Sequence, residues 1–274
     1  MVVIGDIHGQ YVKMLTVLHD ARLIDAAGHW SGGATTLWFM GDYFDRGPDG
    51  IAAIDLIRAL QDEAAAAGGR VGALLGNHDV LILAAQRFGA QPSGGPGGTF
   101  LASWRHNGGV ASDLAQLDET RAAWLRALPA MALDGDWLLA HADATFYQVY
   151  GRTVGAVNRG IRAILQDDNA ADWDLLLDYF SQRRAFQDEE RGPARVARFL
   201  SLYGGRRFVH GHTPIVKLNG RQPEDVTAAH VYAGGLAVDV DAGLYLGGPG
   251  FATILSDNGA GGNYRDQPQG EWRI

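Results

Sequence analysis

The chain has 274 residues, 47% of them hydrophobic and 20% charged, which suits a folded globular protein of one large α/β domain or two small ones. Its formal charge of −8 excludes a whole-molecule field that would gather nucleic acid or an anionic membrane surface, so any anionic substrate needs a local positive site. The lack of cysteine excludes disulfides, thiolate zinc sites and a cysteine nucleophile in one step.

Val2–Ile4 opens the chain as a short apolar run that reads as a buried strand. No basic leader stands before it, so no signal peptide is expected and the expected compartment is the cytoplasm. Nowhere does an apolar stretch reach the roughly 20 residues that a membrane span needs. A helix is predicted over Tyr11–Ala21, a strand over Thr36–Met40, and a helix over Gly50–Ala67 with Ile51, Ile54, Ile57 and Leu60 along one face. A strand follows at Val71–Leu75. Gln91–Gly98 (QPSGGPGG) is too rich in Gly and Pro for an element and reads as a loop, either a surface connector or a flap facing the substrate. Two or three helices are expected within 109–180, around a strand at Trp137–Ala140, and then a helix at Ala194–Tyr203 and a strand at Phe208–His210. The alternation points to an α/β architecture. His230–Ala233, Leu236–Val240 and Phe251–Leu255 are strand-like with Gly-rich turns and no helices between them, which predicts antiparallel strands in a mixed sheet or a second sheet.

Three acidic or amide clusters each follow a predicted strand: Gly5-Asp6-Ile7-His8-Gly9, Gly41-Asp42-Tyr43-Phe44-Asp45-Arg46-Gly47 and Gly76-Asn77-His78-Asp79. His141 and Gly211-His212 follow two more. The carboxyl ends of strands are where open α/β sheets bind ligands. This combination suits two divalent ions about 3.5–4 Å apart, which clamp the attacking and leaving oxygens of an in-line displacement. Asp6 and His8 could reach a first ion, Asp42 could bridge, and Asn77, His141 and His212 could complete a second. Mixed carboxylate, imidazole and amide donors suit manganese, iron or zinc better than an all-oxygen cage. Two dications against Asp6 and Asp42 leave a site of about +2, enough to hold a phosphate dianion and to bring a bridging water towards hydroxide. His78 is then the candidate acid for the leaving oxygen, with Asp45 to orient it. Arg46 offers a planar fork to phosphate, beside Asn77. A second arginine is expected from Arg183-Arg184, with Arg184 chosen.

GDIHG, GDYFDRG, GNHD, the His141 strand end and VHGHTP, in that order over positions 4–214, resemble the PPP branch of the calcineurin-like metallophosphoesterases. The resemblance implies a four-layer α/β/β/α sandwich with mixed sheets, one domain over 1–274, and two metal ions at one edge of the sheets. It places the ligands on Asp6, His8, Asp42, Asn77, His141 and His212, the acid on His78 with Asp45 behind it, and the phosphate arginine on Arg46. Segments 83–110 and 145–205 would shape substrate access. The implied activity is hydrolysis of a phosphorylated protein on serine, threonine or tyrosine by a metal-bridging hydroxide. A dinucleoside polyphosphate or other small phosphoester is the rival substrate, and an inactive metal-binding scaffold a more distant one. The sequence departs from the family in reading GNHD where relatives read GNHE, and His141-Ala142-Asp143 where many read HGG, which adds a carboxylate near a metal. Pro214 stands where nuclease-like relatives carry a second histidine, and there is no basic track for nucleic acid. His210 is expected behind the site rather than as a ligand, and Trp104 either in packing or at the entrance. Oligomeric state is left open.

Overall fold

A computed structural model describes residues 1–256 and 259–263, so positions 257, 258 and 264–274 of the expected domain lie outside the described residues. Among the described residues, ten strands form two sheets: β1 (Val2–Ile4), β2 (Thr36–Phe39), β3 (Arg70–Ala73), β4 (Met131–Asp134), β5 (Trp137–Ala140), β6 (Arg207–His210), β7 (His230–Tyr232), β8 (Ala237–Asp239), β9 (Thr253–Ser256) and β10 (Gly259–Asn263). The first sheet runs β10-β9-β1-β2-β3 and the second β4-β5-β6-β8-β7. β1, β2 and β3 are parallel, with Val2 opposite Leu37 and Ile4 opposite Phe39. β5, β6 and β8 are parallel in the other sheet.

Strand alternation divides the apolar residues between faces. Val3 and Trp38 of the first sheet share a core with Leu139, Val209 and Val238 of the second, so the sheets pack face to face. Val2, Ile4, Leu37 and Phe39 turn the other way, under α1 (Tyr11–Asp20) and α2 (Gly50–Ala66). Leu138 and Phe208 turn outward in the second sheet, beneath Phe180 and Phe199 of helices Ala170–Phe180 and Gly192–Tyr203. Each large apolar side chain so buried contributes about 1.5–3 kcal/mol. The result is the expected four layers, helix, sheet, sheet, helix.

The expected antiparallel strands near the end are present, β7 against β8 and β9 against β1, while β8 itself lies parallel to β6. A single reversal at Gly234-Gly235 separates β7 from β8, so β8 recovers the direction of β6 and takes the place beside it. β4 was not expected. It forms a hairpin with β5 through a two-residue turn, Asp134 opposite Trp137, with Gly135 at φ 56°. Among the described residues, no helix is long and apolar enough to cross a membrane.

Candidate active site

The loops after β1, β2, β3, β5 and β6 meet along one edge of the two sheets, because these strands all present their carboxyl ends there. His8, Asp42, Asp45, Arg46 and His212 have φ of 45°, 55°, 70°, 70° and 69°. Left-handed backbone at non-glycine residues costs of order 1–3 kcal/mol each and persists only where the surroundings impose it. One source of that constraint is Asp79, whose carboxylate accepts the amides of Asp42, Tyr43 and Gly76 at 3.0, 2.9 and 2.8 Å. It ties the loop after β2 to the start of α3 (Asn77–Phe88). Two glycines are needed for close approach. A Cβ on Gly76 would lie 2.2 Å from Asp42 Oδ1, and one on Gly211 2.2 Å from Asp6 Oδ1.

The buried side chains converge in two groups that could hold a metal ion, His8 with Asp42 and His78, and Asp42 with His141 and His212. Asp42 belongs to both. His8 Nε2 is 3.6 Å from Asp42 Oδ2, and His141 Nε2 is 3.3 Å from Asp42 Oδ1. Asn77 Oδ1 and His212 Nδ1 lie 3.0 and 3.1 Å from His141 Nε2. Asp6 stands beside these groups rather than within them, and its two oxygens accept the His212 amide at 3.1 and 3.0 Å.

The donor chemistry fits cations. His8 Nδ1 lies 2.9 Å from the Phe44 carbonyl and His141 Nδ1 lies 2.8 Å from that of Met40. Each Nδ1–H therefore donates to a carbonyl, which turns the Nε2 lone pair into the site, as in metal-ligating histidines. His141 Nε2 then faces a carboxylate, an amide oxygen and another imidazole. His212 Nε2 is buried with no hydrogen-bond partner. Burial holds His8 and His212 well below the usual imidazole range. Burial opposes ionisation of Asp42 too, but the neighbouring His141 and His78 outweigh it and keep the carboxyl well below its ordinary value. Burial, together with Asp241 and Asp42, pushes Asp6 well above it.

His78 reaches the same edge from α3. Its Nδ1 lies 2.7 Å from Asp45 Oδ2, and its Nε2 faces Arg46 Nη2 at 2.9 Å. Arg46 Nη1 lies 2.7 Å from His8 Nε2, and its guanidinium lies 4.2 Å from the centre of the Tyr245 ring. Trp104 does not line the entrance. It is fully buried, and its Nε1 donates to Asp45 Oδ1 at 2.7 Å, which fixes the carboxylate behind His78. Burial, assisted by Arg46, draws His78 down to about 4.

Arg184 does not line the cavity beside His78. Its backbone turns at φ 66°, its amide donates to Asp143 Oδ1 at 2.7 Å, and its Nη2 donates to the Lys217 carbonyl at 3.0 Å. Arg183 is the neighbour that lines the cavity, and its charge also lowers the proton affinity of His78 and His212. Asp143 serves this turn rather than a metal group, with Oδ2 accepting the Tyr232 hydroxyl at 3.3 Å. His210 is likewise outside both groups, its Nε2 2.7 Å from the Tyr232 hydroxyl. The tasks of Asp79 and Trp104 were not foreseen from the sequence, and Asp241 was missed altogether. Asp241 is buried beside Asp6, with Oδ1 accepting the Gly243 amide at 2.9 Å and Oδ2 unpartnered. Two acidic residues in Val238-Asp239-Val240-Asp241, at the end of an otherwise apolar strand, were the available signal.

A cavity of about 660 Å³ opens beside Arg46, Asn77 and His78. Gly94, Gly95 and Pro96 form part of its wall, so the Gly-rich loop faces this space.

Residues 1–216 match the calcineurin-like phosphoesterase family, and the chain belongs to that family. That family works with two metal ions, and the two described groups could bind them. The chain is 36% identical over 81 residues to Shewanella-like protein phosphatase 2 of Arabidopsis thaliana, a stretch that is 30% of this chain and 21% of that protein. It is 26% identical over 234 residues to a symmetrical bis(5'-nucleosyl)-tetraphosphatase of Escherichia coli, covering 82% of this chain and 71% of the relative. A cold-active protein tyrosine phosphatase of known structure has the same fold, with a TM-score of 0.71, 22% identity, and coverage of 96% of this chain and 76% of that one.

Proposed function

We propose that the protein is a phosphomonoesterase acting on phosphoproteins, at phosphoserine, phosphothreonine or phosphotyrosine. The observation that carries this reading is the alignment of His78 between Asp45 and Arg46 at the mouth of a cavity that Arg183 also lines. Asp6, His8 and Asp42 would hold one ion and Asp42, Asn77, His141 and His212 another, with manganese, iron or zinc suiting these donors. When bound, such a pair supplies an activated water and neutralises charge on phosphate.

The chain's own residues do the rest. Arg46 and Arg183 grip phosphoryl oxygens, and Asn77 helps to position the group. Asp45, held by Trp104, keeps the His78 ring pointed at the leaving oxygen. With the site free of substrate, burial and Arg46 keep His78 neutral at pH 7. An adjacent phosphate dianion counters the arginine and raises the proton affinity of Nε2, so His78 can carry the proton that the departing alkoxide takes. We further read the described residues as one domain in which 83–110 and 145–205 shape access.

A second reading, hydrolysis of dinucleoside polyphosphates, is favoured by the similarity over 82% of this chain to a bacterial tetraphosphatase. Phosphate release from a phosphopeptide set and from diadenosine tetraphosphate, measured side by side with metal-loaded protein, separates the two. Peptide turnover that Asp42→Asn abolishes is the expected result. A clear preference for the dinucleotide, lost in the same variant, would move the function to nucleotide hydrolysis.

A further inference from the structure

The cavity beside His78 carries charge of both signs. Arg46 and Arg183 line it, and so do Asp174 and Asp178, with Leu81 and Leu177 also in its wall. The two aspartates are four residues apart on helix Ala170–Phe180, so they share a face. Like charges at that spacing disfavour a helix, and neither is paired with a cation among the described residues. Asp174 has a scaffold task, because its Oδ2 accepts the Gly94 amide at 2.7 Å and holds the Gly-rich loop against the helix. Asp178 has no such task. It is exposed to the cavity, and its carboxylate has no partner among the described residues.

We propose that this wall selects phosphomonoesters with a positive group close to the phosphate, chiefly phosphopeptides with lysine or arginine next to the phosphorylated residue. The inference rests on the phosphatase reading and names its substrate class. Phosphate goes to the arginines, and the group that carries it runs past Leu81 and Leu177. The neighbouring part of the substrate then meets the aspartates. A cation there gains an unpaired carboxylate, whereas a substrate with further phosphates brings like charge to the same wall in a protein already at −8. A cavity of about 660 Å³ has room for a phosphorylated side chain and part of its neighbours.

The test compares two substrate pairs on the metal-loaded full chain and its Asp178→Lys variant. One pair is a phosphopeptide with lysine or glutamate on both sides of the phosphorylated residue. The other is phosphotyrosine amide, with its free ammonium, and N-acetyl phosphotyrosine, with its free carboxylate. Binding of the matching phosphonate peptides is read by calorimetry. The positive member of each pair is expected to exceed its partner about tenfold in kcat/KM, mostly through KM, and the ratio falls in about 0.5 M salt as exposed charges are screened. Asp178→Lys reduces the ratio to about twofold or less. Equal handling of both pairs by the wild-type chain, or a ratio that Asp178→Lys does not move, overturns the proposal. No peptide turnover, with the aryl pair still split by charge, supports charge selection and removes the phosphoprotein reading.

Discussion

Asp42 is held from three sides. Its amide donates to Asp79, its Oδ1 accepts the His78 amide at 2.8 Å, and the loop around it is closed by the glycines before and after. Such a carboxylate cannot relax away from its neighbours, and that is the condition for one side chain to serve two ions. The arginines make the opposite point. Arg183 and Arg184 are adjacent and chemically identical, yet the backbone turn at Arg184 sends one side chain to the cavity and the other to the Lys217 carbonyl. Arg183→Ala is therefore expected to raise KM about tenfold, the scale of one lost charge-assisted bond, and Arg184→Ala to change it less than about threefold. Steady-state kinetics on one phosphopeptide checks this, and the reverse order would restore Arg184 to the phosphate. The Asp, Asn and His set was legible because each residue lies just after a strand, four of them (Asp6, Asp42, Asn77 and His212) directly behind a glycine. The choice between the arginines was not, because it depends on a carboxylate, Asp143, forty-one positions away.

At the scale of elements, the first turn of α3 does the joining. Asn77, His78 and Asp79 are consecutive, and the helix turns about 100° per residue, so each points to a different partner. Asn77 meets His141, His78 meets Asp45, and Asp79 meets the amides after β2. The start of α2 is held differently. Asp49 makes no side-chain cap, and the amides of Gly50 and Ile51 instead donate to Asp113 at 3.2 Å each. Burial raises the Asp113 carboxyl to about 6. A raised carboxyl keeps its proton in the folded chain after the unfolded chain has released it, so its contribution to stability is lost as pH rises from about 4 to about 6. The stability of the wild-type chain relative to Asp113→Asn should fall across that window by on the order of 1–2 kcal/mol, read by urea unfolding at each pH. A difference that stays flat or grows would contradict the assignment. The long helices were legible from their apolar stripes. The β4 hairpin and the direction of β8 were not, since a four-residue strand carries little period and direction follows from what lies between strands.

In the whole molecule, the site belongs to neither sheet alone. Asp6 follows β1 of the first sheet and His212 follows β6 of the second, and the His212 amide donates directly to Asp6. Cations drawn to this seam would bind both sheets at once, so bound metal is expected to stabilise the entire fold rather than a local loop. The acidic net charge means that phosphate must be drawn by local cations, with Arg46 and Arg183 at the cavity, rather than by the field of the whole molecule. The most direct test is a titration of manganese into metal-stripped protein, followed by phosphate release and by metal content per chain, with Asp42→Asn in parallel. Turnover should rise from none to a plateau at two ions per chain and fail to rise in the variant. Full turnover by the stripped protein, or an unaffected Asp42→Asn, would contradict a two-metal phosphatase.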